Sequence, residues 1–159
     1  MAYILDSDVF MQAENLHYGF DICPGFWDWL DSAHKDGKVF SIEEVWDEIC
    51  NGTGPLTDWV KARSAMFLST ADGKTYESLK LLTAWADKNY EQAAKDKFFA
   101  AADFKLVGFA HAHGHTIVTQ ERFSDGKQVK IPNACKAMGV DPLNTWQFLK
   151  AEKVKLVWK

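Results

Sequence analysis

Ala2-Tyr3-Ile4-Leu5-Asp6-Ser7-Asp8 opens the chain with a short apolar run that ends on two carboxylates. Four apolar residues without polar alternation describe a strand buried on both faces. The abrupt Asp6-Ser7-Asp8 describes its end. A second run of this kind, Thr116-Ile117-Val118-Thr119, is β-branched throughout and reads as another buried strand. It is followed by Gln120-Glu121, and period-two alternation puts Thr119 and Glu121 on one side. Between the two lie stretches with helical spacing, so strands alternate with helices. That order implies an α/β fold with a mainly parallel sheet, beyond whose C-terminal strand ends ligands bind.

Other elements follow from local signals. Trp27 to His34 reads as a helix ended by Gly37, and Val39-Phe40 as a short strand. Ser41-Ile42-Glu43-Glu44 has the spacing of a capping box, with Ser41 as N-cap and Glu44 at the third position. It opens a helix through Cys50 that closes at Asn51-Gly52. Leu56 to Arg63 and Tyr76 to Ala94 are further helices. Phe98 to His113 reads as one continuous helix ended by Gly114. Val129-Lys130-Ile131 is expected as a strand before Pro132, with short helices near Ala134 to Met138 and Thr145 to Glu152.

Size and composition bound the class. The 159 residues, 47% hydrophobic and 25% charged, suit one soluble domain spanning 1–159. A chain of this size buries roughly 70% of its unfolded surface. No run of about 18 uncharged apolar residues exists, so no membrane span is expected. The start of the chain lacks the pattern of a signal peptide. Three scattered cysteines, Cys23, Cys50 and Cys135, suit free thiols and a reducing cytoplasm. The net charge of −4 disfavours nucleic-acid binding by bulk charge and asks for a local basic patch, a second subunit or a bound metal. The phosphate loop, the dinucleotide-binding glycine motif and the nucleophile elbow do not occur in this sequence.

The carboxylates carry the functional signal. Asp6 and Asp8 either serve a site beyond the first strand or cap the segment after it. Glu48 borders the apolar stripe of its helix, between Val45 and Ile49. In the helix read over Phe98 to His113, Phe99, Asp103, Leu106, Val107 and Ala110 form an apolar stripe with an aspartate in its middle. A buried carboxylate is paired, hydrogen-bonded or on a metal. Acidic residues gathered at one sheet edge repel one another unless a cation is present, and oxygen ligands suit Mg²⁺ or Mn²⁺.

These residues, in this order, resemble the PIN-domain nucleases. Ile4-Leu5-Asp6-Ser7-Asp8-Val9 is similar to that family's first motif, with Asp8 where many members carry Asn. Asp47-Glu48-Ile49 resembles its helical Glu, and Ala101-Ala102-Asp103 its third acid. Thr119-Gln120-Glu121 resembles its Thr-x-Asp, with Glu in place of Asp. The similarity spans roughly residues 2 to 135, and the stretch Val129 to Cys135 is similar to a bacterial PIN-like group. The resemblance implies a PIN-like α/β/α sandwich with four to five mainly parallel strands. It implies a metal-dependent ribonuclease in which Asp6, Glu48, Asp103 and Glu121 hold Mg²⁺ or Mn²⁺, while Asp8 and Thr119 support them. It also implies an RNA substrate, and, as for many small bacterial members, a toxin with an antitoxin partner and a homodimeric state.

Two other classes compete. Asp6-Ser7-Asp8 also fits the opening of a haloacid-dehalogenase-like phosphatase, which uses the first Asp as nucleophile and the second as acid/base. The later lysine and acidic segment of that class are not convincingly matched. A non-catalytic PIN-like RNA- or protein-binding module would be marked by loss of the acids, and all four positions stay acidic. His111, His113 and His115 are expected to face solvent at a helix end rather than to bind zinc. Lys95, Lys97, Lys105, Arg122, Lys127 and Lys130 are either solvated or near phosphates. Trp27, Trp29, Trp46, Trp59 and Trp85 read as packing residues.

Overall fold

The computed structural model describes residues 1–158. The chain runs β1 (Tyr3–Leu5), α1 (Ser7–Asn15), α2 (Pro24–Lys35), β2 (Val39–Ile42), α3 (Glu43–Cys50), α4 (Pro55–Lys61) and β3 (Phe67–Leu68). It continues with α5 (Gly73–Asn89), α6 (Gln92–Ala100), α7 (Ala102–His113), β4 (Thr116–Val118), α8 (Ile131–Met138), β5 (Pro142–Leu143) and α9 (Thr145–Ala151). The strands form one parallel sheet in the order β3-β2-β1-β4-β5. β1 lies at its centre, with Leu5 opposite Val118 of β4. Helices flank the sheet, as expected for the fold class.

The order reverses between β1 and β4. The chain builds outward through β2 and β3, then returns to the other side of β1. Crevices that bind ligands form at such a switch point, beyond the strands' carboxyl ends. Ile4, Leu5, Val39, Ile42, Ile117 and Val118 are all fully buried, which is why these strands read as unbroken apolar runs. Trp27, Trp29, Trp46, Trp59 and Trp85 pack as expected. Trp27 stacks on Phe20 at 4.0 Å between ring centroids and donates its Nε1–H to the Tyr18 carbonyl. Trp46 meets Phe67, and Trp85 meets Tyr90. The three cysteines are free.

Several local expectations are corrected. Ser41 is not an N-cap. It lies in β2, and its hydroxyl donates to the Leu5 carbonyl, while Ile42 occupies the cap position without a side-chain bond. Glu44 is therefore released from any capping box and accepts from Thr70 Oγ1 at 2.6 Å and Lys105 Nζ at 3.3 Å. The stretch read as a helix over Tyr76 to Ala94 is two helices. Asn89 turns its amide onto the Trp85 carbonyl, and Tyr90 is extended. The helix read over Phe98 to His113 breaks at Ala101, also extended at ψ 158°. Val129 and Lys130 form no strand, because Ile131-Pro132 opens α8. Proline is at home in a first helical turn, where the missing N–H costs nothing. Gly114 does end α7, at φ 70°.

His111 and His115 are half-buried rather than solvent-facing, while His113 is exposed as expected. His111 Nδ1 lies 2.7 Å from Ser78 Oγ, His113 Nε2 lies 3.0 Å from Asp72 Oδ2, and His115 Nδ1 accepts the Ala2 N–H. Two of them thus tie α7 to α5. Among the described residues, no helix is long and apolar enough to cross a membrane.

Candidate functional site

Asp6 leaves β1 and becomes the N-cap of α1. It is 2% exposed. One oxygen accepts the Ser7 N–H at 2.8 Å and the other accepts from Thr119 Oγ1 at 3.0 Å. Asp6 therefore caps the next segment and lies at the strand edge at once. Asp8 stands in the first turn of α1, accepts the Gln120 N–H at 3.1 Å on both oxygens, and lies 3.3 Å from Thr119 Oγ1. The Thr119 hydroxyl, just past β4, thus sits between the two aspartates. It also accepts the Glu121 N–H.

Glu48 reaches the same edge from α3. Its Oε2 accepts from Ser7 Oγ at 2.8 Å and its Oε1 from the Ala102 N–H at 3.2 Å. The second bond explains the break at Ala101. The extended residue turns the first N–H of α7 toward a carboxylate from another helix, which takes the place of a local cap. Phe99 then belongs to α6, and Asp103 lies in the first turn of α7 rather than mid-stripe. An acid there is favoured by the helix dipole. Glu121 Oε2 accepts the Ile131 N–H at 2.7 Å, at the start of α8.

Asp6, Asp8 and Thr119 are thus joined at the β1/β4 switch point, Glu48 is linked to them through Ser7 and Glu121 through Thr119, and Asp103 is close enough to feel their charge. The bonds that seat them share one property. Asp6, Asp8, Glu48 and Glu121 each accept a main-chain N–H from Ser7, Gln120, Ala102 and Ile131 respectively. Such donors satisfy an oxygen without bringing a full positive charge. Among the described residues, none of the five carboxylates has a lysine, arginine or histidine at ion-pair distance.

The electrostatic consequence is large. Burial pushes the Asp103 carboxyl up to about 7, helped by repulsion from Glu121, Glu48 and Asp8. Asp6 is raised well above the ordinary range by burial and then by Asp8 and Asp103. Asp8 is raised by burial, against the lowering pull of the Gln120 N–H.

The donor set is all oxygen and uncompensated, which fits a hard divalent cation in charge and chemistry. Among the described residues, no three Asp, Glu, His or Cys side chains are arranged to hold a metal ion together. A cation here would meet one or two carboxylates and keep several waters, as Mg²⁺ commonly does.

Sequence reasoning missed Ser7 and Gln120, which tie Glu48 and Asp8 in place. The only signal for Ser7 was its position between the two aspartates. The basic residues nearest in sequence mostly serve elsewhere: Lys105 on Glu44, Lys95 on Asp87 and Lys97 on Gln128.

Residues 3–156 match the family model described as Domain of unknown function (DUF4411), and the chain belongs to that family. No curated protein matches it. Among solved structures it is similar to the crystal structure of FitAcB from Neisseria gonorrhoeae, at 18% identity and a TM-score of 0.57. The alignment covers 91% of this chain and 98% of that one. The shared architecture is the PIN-like fold.

Proposed function

We propose that this protein is a metal-dependent endoribonuclease of the PIN type. One observation carries the reading: acids from β1, α1, α3, α7 and the end of β4 converge at the sheet's switch point without a cationic partner. Buried like charges are retained at a cost to stability, and a bound cation is what repays it.

Asp6, Glu48, Asp103 and Glu121 are the residues that would hold Mg²⁺ or Mn²⁺, directly or through water. A bound ion supplies Lewis acidity, easing deprotonation of the attacking water and offsetting charge on the phosphodiester. The chain's own part is placement. Thr119 keeps Asp6 and Asp8 in one orientation, Ser7 fixes Glu48 against α1, and the Ala102 N–H keeps Glu48 beside Asp103. Asp103 must lose its proton before it can bind a cation, so binding should release protons near neutral pH.

The geometry offers less to a phosphatase. Asp6 is buried with both oxygens bonded, a poor state for a nucleophile. By the same sequence resemblance we read the chain as a toxin with an antitoxin partner. Exposed Leu16, Ile22 and Val157 are apolar surface open to a protein partner or a second copy.

The test is cleavage of a mixed single-stranded RNA with Mg²⁺ or Mn²⁺, and with EDTA, by the wild type and Asp103→Asn. Metal-dependent cutting lost in the variant is expected. Absence of both cutting and Mn²⁺ binding by the wild type would overturn the reading.

A further inference from the structure

Beyond the acids, the loop after β4 and the start of α9 each carry an exposed aromatic that the site itself does not use. Phe123 is 51% exposed, and Trp146, in the first turn of α9, is 67% exposed. Both line a cleft of about 440 Å³ whose walls also include Thr119, Glu121 and Arg122. The cleft therefore shares Thr119 and Glu121 with the acidic site. Phe123 also lines a second cleft, of about 510 Å³, with Tyr90 and Lys136. Lys136 Nζ stands 5.2 Å from the centre of the Phe123 ring.

These aromatics are exposed but held. Ser124, next to Phe123, exchanges two hydrogen bonds with the Asn133 amide, at 3.1 and 2.7 Å. Glu121 ties the start of the loop to Ile131. Gln120 gives its N–H to Asp8 and takes the Thr145 N–H on its side-chain oxygen, at 3.0 Å. The residue preceding Trp146 is thus coupled to the acidic site through one glutamine. Arg122 is exposed and has no ion-pair partner among the described residues.

We infer that this track binds the bases next to the scissile bond of single-stranded RNA, stacking them on Trp146 and Phe123 while Arg122 and Lys136 meet phosphates. The inference rests on the nuclease reading and names how that site takes its substrate. Exposed, pre-positioned aromatic faces beside cations suit unpaired bases, which have π-faces free. In a duplex those faces are stacked away. The cations also supply the local positive charge that a chain of net charge −4 needs near a polyanion.

The test is fluorescence anisotropy of a dye-labelled, mixed-sequence single-stranded RNA in EDTA at low salt. The proteins are wild type, Phe123→Ala, Phe123→Tyr and Trp146→Ala, each checked by thermal melting. Each alanine should weaken binding about tenfold, while Phe123→Tyr stays within about twofold and a duplex of the same sequence binds more weakly. No binding by the wild type, alanine variants that bind as tightly as it does, or equal affinity for the duplex would overturn the track. Cleavage with Mg²⁺ is scored separately. If the wild type cuts RNA while the variants bind normally, the track falls and the nuclease stands. If the alanines lose binding but no metal gives cutting, the track stands only as a single-stranded RNA site and the nuclease falls.

Discussion

Replacing Asp103 by Asn should make the metal-free protein more stable. The Asp103 carboxyl rises from its ordinary 3.8 to about 7 in the folded chain. In the unfolded chain it is solvated and returns to the ordinary value. Below pH 3.8 both states carry the proton and the aspartate costs nothing. Between about pH 4 and 7 the unfolded state loses its proton first, so stability falls as pH rises; above 7 the full penalty is present. At about 1.4 kcal/mol per pH unit, that penalty is at most ~4 kcal/mol. Asparagine has nearly the same shape and no charge, so Asp103→Asn should recover about 2–4 kcal/mol at pH 8.5, and well under 1 kcal/mol at pH 4. For a chain of this size each kcal/mol moves the melting temperature by roughly 2–4 °C. Thermal unfolding of both proteins in EDTA at the two pH values measures this. Saturating Mn²⁺ should then narrow or close the gap, because a ligand at a hundred times its Kd adds about 2.7 kcal/mol to the protein that binds it. A variant no more stable than wild type at pH 8.5 in EDTA would refute the account of repulsion among these acids.

Three further outcomes test the surrounding structure. Ser7→Ala removes the hydroxyl that holds Glu48 Oε2; it should cost about 1 kcal/mol in denaturant unfolding and weaken Mn²⁺ binding in calorimetry, without abolishing it. Asp72 caps α5 through the Thr75 N–H, a bond that with the His113 contact lowers its carboxyl to about 2. Asp72→Ala should cost about 1 kcal/mol at pH 7. The aspartate's advantage is present above pH 3.8 and fades as pH falls through about 2, so urea melts should converge at low pH. Gly108 lets α7 approach α5 so closely that a Cβ there would run into the Leu79 side chain. Gly108→Ala should cost about 1–3 kcal/mol, and Leu79→Ala in the same chain should recover part of that loss in thermal melts.

The sheet was legible because its strands are buried on both sides. Ile4-Leu5 and Ile117-Val118 announce themselves without any pairing information, and the acids follow them directly. β3 and β5 are two residues each, too short to show a period, so the sheet's edges were not readable. Helix breaks failed for a different reason. Ala101 is an ordinary helix former, and what extends it is Glu48, 53 positions earlier in the sequence, through the Ala102 N–H. The Ser41 pattern failed the same way, since a capping box and a strand-end serine bonded to β1 share one spelling. The acids themselves were legible by type and order. Ser7, Gln120 and the aromatic track were not, because their roles depend on which residues the fold brings opposite them.

The way the carboxylates are held bears on why the site stays negative. Four of the five are satisfied by main-chain N–H groups. Had lysines or arginines done this work, each acid would sit in a neutral ion pair, and a cation would have to break that pair before binding. Main-chain donors give direction without full charge, so the oxygens are oriented while the field stays uncompensated. Asp103 completes the logic. Among the described residues no group beyond its own N–H donates to it, and Glu121, Glu48 and Asp8 repel it. Near neutral pH it still carries a proton in the metal-free protein, and a divalent cation that binds it must displace that proton. Metal affinity should accordingly rise with pH across the region of about 7. A Mn²⁺ titration of the wild type that shows no proton uptake or release between pH 6 and 8 would place the cation away from Asp103 and sink this assignment.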